Sequence, residues 1–168
     1  MLADILVLLA AALVALAALA VGYAAAWPLV LDVGGRDARF ALGFNEPEQS
    51  AGLNYRWTDG DATLALPHPP PGSPTLLALR LQNGRPAGQP PAQVAISAGG
   101  RELARLELRD NLFRTCRVLV PPATGFGWAL PVRLAGDSIL LAADPRPLGV
   151  VVDRAALAPL ATPALPTP

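Results

Sequence analysis

Between Asp4 and Asp32 the chain carries no charged side chain, and beyond that run its hydrophobic pattern changes period. A helix rises about 1.5 Å per residue, and about 20 apolar residues cross a hydrocarbon core about 30 Å thick. The first stretch therefore predicts a membrane-spanning helix. Tyr23 and Trp27 stand one turn apart at its far end, where amphipathic rings favour the headgroup layer, and Pro28 stops the helix. A cleavable secretory signal is the competing reading, because Ala24-Ala25-Ala26 suits a small-residue cleavage site. Such signals have a basic first segment and only about 7–15 apolar residues. Met-Leu-Ala-Asp contains no base and the run is longer, so the expectation is an uncleaved anchor over residues 1–28.

After the anchor the apolar positions alternate with period two, the mark of half-buried strands. Residues 75–81 set Leu77, Leu79 and Leu81 against Arg80, and Val94 and Ile96 alternate with Gln93 and Ser97. In 101–109, Leu106 and Leu108 turn inward while Arg105, Glu107 and Arg109 turn out. Cys116, Val118 and Val120 oppose Thr115 and Arg117 in 113–120, and Leu130, Val132 and Leu134 oppose Arg133 in 128–134. Segments 55–58, 62–66, 138–142 and 148–157 bring the count to about nine or ten predicted strands.

The 19 prolines and 15 glycines, nearly all beyond Trp27, supply the turns. Asp59-Gly60 and Gly99-Gly100 read as tight hairpins, and Asn83-Gly84 followed by Pro86 ends a strand. No stretch beyond residue 31 keeps helical periodicity for ten residues. The predicted fold is mainly β: one N-terminal transmembrane helix followed by an antiparallel β-sandwich, jelly-roll-like, over residues 29–157. His68 to Pro74 predicts a polyproline-like surface loop, and 158–168 an Ala/Pro/Thr-rich tail or linker.

Charge narrows the function classes. Thirteen basic residues, all arginine, balance thirteen acidic ones, so nothing draws the chain electrostatically to nucleic acid. The single cysteine, Cys116, excludes an internal disulfide and a cysteine-based metal site. It falls on an apolar strand face, where a buried thiol is the simpler reading than a nucleophile. His68 is the only histidine, without an acid or serine nearby in sequence to orient its ring for catalysis. Asp59 and Asp61 offer carboxylates to calcium, but two are too few for six to eight oxygens, and a turn accounts for them. No phosphate loop, metal-ligand cluster or nucleophile elbow is present, so no cofactor and no enzyme activity are expected.

The best remaining constellation is Glu46, Glu48, Arg56 and Trp57. An exposed indole stacks on a sugar ring while charged groups bond its hydroxyls. The alternative makes Tyr55 and Trp57 core residues and turns Arg56 outward to pair with Glu46 or Glu48. Period-two alternation favours that alternative, and Arg146 with Asp144 reads similarly as an ion pair fastening a loop. In the anchor, Ala18, Gly22 and Ala26 recur every fourth residue, a spacing that lets helices approach closely inside lipid.

Two segments suggest a family. Gly43-Phe44-Asn45-Glu46-Pro47-Glu48 with Tyr55-Arg56-Trp57-Thr58, and Asp144-Pro145-Arg146-Pro147-Leu148-Gly149-Val150, are similar to a recurring bacterial pattern. The chain resembles, over about residues 29–157, the jelly-roll domain following the first transmembrane helix of some polytopic glycosyltransferases of the dolichyl-phosphate-mannose type. It departs from them in lacking further membrane helices and an acidic catalytic loop. The resemblance implies an extracytoplasmic domain, whereas Arg36 and Arg39 beside the anchor weakly favour the cytoplasm. Two readings follow. One is a non-enzymatic, membrane-anchored binding or accessory module in cell-envelope glycan work. The other is a structural subunit of a larger membrane complex, contacting a membrane-protein partner through the helix.

Overall fold

The computed structural model describes residues 2–25, 27–37, 39–70, 72–122 and 127–160. A single helix, α1 (Leu2–Ala25), precedes twelve strands among these residues. Its segment Ala3–Tyr23 has a mean hydropathy of 2.9, is long enough to cross a membrane, and is not buried at all by the rest of the chain. Ala18 and Gly22 lie on this exposed helix, while Ala26 falls outside the described residues.

The strands are β1 (Leu29–Asp32), β2 (Ala41–Phe44), β3 (Glu48–Ser50), β4 (Leu53–Pro67), β5 (Thr75–Gln82) and β6 (Ala92–Ala98), then β7 (Arg101–Leu108), β8 (Arg114–Val120), β9 (Ala129–Gly136), β10 (Ile139–Leu141), β11 (Asp144–Leu148) and β12 (Val151–Pro159). All strand pairings among the described residues are antiparallel. The main ladder runs β7-β6-β9-β4-β12-β5-β8, with β1 on β12 and β2 and β3 on β4. Its two halves face each other as a sandwich. Leu77, Leu79, Leu81, Ala155 and Leu157 from one half meet Leu64, Leu66, Ile96, Val132 and Leu134 from the other in one buried core. The alternation read from β5, β6, β8 and β9 thus assigns their inward faces correctly, because one face of each strand is removed from water.

Strand β4 joins the halves. Asp59-Gly60 is not the hairpin its composition predicts: the strand runs through it. Gly60, at φ 115°, is a left-handed break that only glycine enters readily, and the chain changes partners there. Before it, Arg56 and Trp57 pair with Val152 and Val151 of β12. After it, Asp61 to Pro67 pair with Ala135 to Ala129 of β9. Gly99-Gly100 does form the expected two-residue turn, since Ala98 pairs directly with Arg101. Ala158 and Pro159, assigned by the sequence to a tail, instead pair with Leu76 and Thr75, and residues 161–168 of that segment lie outside the described residues.

Register fixes two ends. Leu29, Pro67, Thr75, Val120, Ala129 and Pro159 cluster where α1 leaves the domain, through the pairs Leu29–Leu157, Pro67–Ala129, Thr75–Val120 and Pro159–Thr75. Gln82 and Val151 lie at the opposite end of β5 and β12. At about 3.3 Å per residue those ends stand more than 20 Å apart.

Candidate functional site

At the end distal to the helix, the outer face of the sandwich holds a groove of about 370 Å³. Trp57, Val151 and Gln82 are consecutive cross-strand neighbours, so all three point to one face. Tyr55, two residues before Trp57, shares that face, and Phe113 closes the groove from the segment before β8. Ser50, at the end of β3, forms its rim. Arg80 lies over the Phe113 ring at 4.9 Å. Three aromatic rings from separate positions thereby converge on one concave surface of a size suited to a small ligand.

Trp57 is held in place by a glycine. A β-carbon at Gly84 would collide with Trp57 Cη2 and lie 2.6 Å from Val151 Cγ2, so the indole edge rests on bare backbone. Gly84 also sits at φ 69°, where side chains are disfavoured.

The predicted facing of this segment is reversed. Arg56 is turned into the protein, 9% exposed, and Tyr55 and Trp57 are half-buried on the outside. Arg56 does not pair with Glu46 or Glu48. Its partner is Asp37, which is 0% exposed: Arg56 Nε donates to Oδ2 at 2.9 Å, and Nη2 to Oδ1 at 3.2 Å. Nη1 donates to the Asn45 carbonyl at 2.9 Å, and Asn45 Nδ2 in turn donates to the Pro147 carbonyl at 2.8 Å. The alternation was right about opposite faces and wrong about which face is the interior. A charge is tolerated inside because a second, complementary charge is delivered there by a loop 19 residues away.

Glu48 belongs to a different network bordering the groove. Its Oε2 accepts from the Tyr55 hydroxyl at 3.1 Å and its Oε1 from Arg146 Nη2 at 2.8 Å. Arg146 also bonds Asp144 through Nε at 2.9 Å and Nη2 at 2.7 Å, as the sequence predicted for that pair. Burial, then the bond to Glu48, push the Tyr55 hydroxyl above its ordinary range. Side-chain and backbone hydrogen bonds from Arg146 hold the Asp144 carboxyl down at about 2. A depressed folded value means that its contribution to stability is complete above the unfolded value of about 3.9 and fades as pH falls through about 2. A carboxyl titration followed by NMR should place Asp144 near 2 in the native chain and return it towards 3.9 in Arg146→Gln.

The other residues singled out in the sequence take no part in the groove. Glu46 is exposed on the loop before β3. Asp61 pairs with Arg133 of β9 at 2.6 Å, and Asp59 accepts from the Asp61 amide at 3.0 Å. Cys116 is half-buried, and burial pushes its thiol up, away from a reactive thiolate. Gln82, Gly84, Phe113 and Ser50 were not anticipated as site residues. No sequence signal marked them, because they reach Trp57 only through the pairing of β4, β12 and β5 and the approach of the segment before β8.

No known protein-family profile and no curated sequence matches this chain. Its fold, however, is shared with solved structures. The xylan-binding domain CBM22-1 of Paenibacillus barcinonensis Xyn10C superposes with a TM-score of 0.54 at 11% identity, over 80% of this chain and 94% of that domain. A family 35 carbohydrate-binding module from Clostridium thermocellum gives 0.51 at 13% identity, over 77% and 97%. The GH26-CBM35 β-(1,4)-mannanase of Podospora anserina gives 0.51 at 11% identity, over 83% of this chain but 29% of that one. The chain is thus an antiparallel β-sandwich of the kind found in carbohydrate-binding modules, carrying one apolar N-terminal helix.

Proposed function

We propose that this protein is a membrane-anchored, non-enzymatic glycan-binding module, and that the groove of Tyr55, Trp57 and Phe113 takes the sugar. The convergence of three rings on one concave face carries the reading. A pyranose ring has an apolar C–H face that packs on an indole, while its hydroxyls need hydrogen-bonding groups at the edges. Gln82, Ser50 and the Tyr55 hydroxyl supply those edges. Glu48 contributes through Tyr55, whose hydroxyl it holds, and Arg56 through the loop it supports. Glycosidic hydrolysis uses two carboxyl groups about 5–9.5 Å apart across the bond. The lining residues of this groove include none.

In this reading α1 anchors the domain with the groove facing away from the bilayer, on the extracytoplasmic side where envelope polysaccharide lies. It serves as an accessory to glycan assembly, beside a separate membrane glycosyltransferase. The alternative, a structural subunit contacting its partner through the Ala18 and Gly22 face of α1, needs no sugar.

Affinity electrophoresis of the full chain in mild detergent separates the two. Gels containing xylan, mannan or mixed-linkage β-glucan should retard the protein in at least one case relative to a gel without polysaccharide. Equal mobility across the panel contradicts glycan binding and leaves the subunit reading.

A further inference from the structure

The end of the sandwich from which α1 leaves is chemically unlike the rest of the surface. The described residues of segments 62–79, 118–132 and 155–160 supply its strand ends and loops, and all 13 basic and 13 acidic residues of the chain lie outside these segments. Trp128, immediately before β9, is 101% exposed there, the most exposed large apolar side chain among the described residues. Leu119 of β8 is 54% exposed, and Leu160 beyond β12 is 39% exposed. An apolar crevice of about 350 Å³ opens between Trp27, Pro28, Pro70 and Pro159.

The foot of the helix is joined to this surface. Tyr23 packs edge-on against Trp27 with ring centres 6.1 Å apart, and its hydroxyl donates to the His68 carbonyl. His68 also borders the Trp128 segment, since a β-carbon at Gly127 would lie 3.6 Å from its ring. Helix foot, proline loop and Trp128 are therefore one continuous patch.

We propose that this end is a second membrane contact: the sandwich seats on the bilayer surface and Trp128 enters the headgroup region. The proposal rests on the reading that α1 spans the membrane. A fully exposed indole costs water contact for its apolar body, yet its N–H disfavours the hydrocarbon, and the interface satisfies both. The absence of charge from the three segments removes the desolvation penalty that would oppose seating. Arg101 and Glu102, both exposed, follow the Gly99–Gly100 turn, whose Gly99 amide bonds the Pro131 carbonyl, so the nearest charges stand as a balanced pair at the rim of this end. Seating at this end leaves the aromatic groove facing outward, and it adds a second point of membrane contact beside α1.

The test uses the full chain in phosphatidylcholine vesicles, with and without bromine on the upper part of the acyl chains. Quenching of tryptophan emission is compared between the native chain and Trp128→Ser, a change that the exposure of Trp128 leaves harmless to the fold. The native chain should lose a larger share of its emission to brominated lipid, and the substitution should remove that excess. Fractional quenching in Trp128→Ser that equals or exceeds that of the native chain, in protein that resists carbonate extraction, overturns the seating and leaves the anchor intact. Extraction by carbonate overturns both together. Excess quenching confined to vesicles carrying a second membrane protein would make the patch a protein interface and also overturn the proposal.

Discussion

Replacing Asp37 with alanine should destabilise the β domain by roughly 3–5 kcal/mol, the largest single effect expected from a polar substitution here. The carboxylate is wholly buried, and it receives two N–H donors from an Arg56 side chain that is itself 11% exposed. Removing it strands a guanidinium where water cannot replace the lost partner. Arg56 then has only the Asn45 carbonyl, and the loop leading to Glu48 loses its fastening. Thermal unfolding of the full chain in detergent, followed by far-ultraviolet circular dichroism, should show a midpoint lowered by roughly 10 °C or more. The double variant Asp37→Leu with Arg56→Met should recover much of that loss, because it removes both charges and keeps the volume filled. A single-variant loss below about 1 kcal/mol would mean that the pair is solvated and that the interior assignment of Arg56 is wrong.

The second large effect concerns binding. Trp57→Ala should weaken retention by the best polysaccharide at least tenfold, in line with the about 2 kcal/mol or more typical of a central aromatic contact. Trp57→Phe should retain most of the affinity, because a ring still covers Gly84 and presents a stacking face. Gln82→Ala should cost less, as one edge hydrogen bond. Trp128→Ala, at the opposite end, should leave retention unchanged. Unaltered retention in Trp57→Ala, with an unchanged melting midpoint, would place the sugar elsewhere.

Much of the fold was legible because one face of most strands meets a dry core. In β5 and β9 every second residue is buried, and the sequence shows the same beat. Legibility failed where burial is not apolar. Around Arg56 the inner face is polar, so the hydrophobic rhythm pointed the wrong way, and Asp37 lies in a loop with no rhythm at all. It failed again at Gly60, where turn chemistry is used to let one strand change sheets. Of the site, Trp57 and Glu48 could be named from the sequence. Gln82 and Phe113 could not, because they reach Trp57 only through the register of β4, β12 and β5 and the approach of the segment before β8.

The central claim is that this groove binds sugar, and the indole N–H of Trp57 reports on it directly. The chain has three tryptophans, so a nitrogen-15 spectrum in detergent should contain three indole signals at most, assigned by single replacement of each. Adding increasing amounts of an oligosaccharide from the retaining polysaccharide should shift the Trp57 signal saturably. The Gln82 side-chain amide should move with the same midpoint, while Trp128 stays in place. A saturating ligand that leaves Trp57 and Gln82 unmoved would contradict the account.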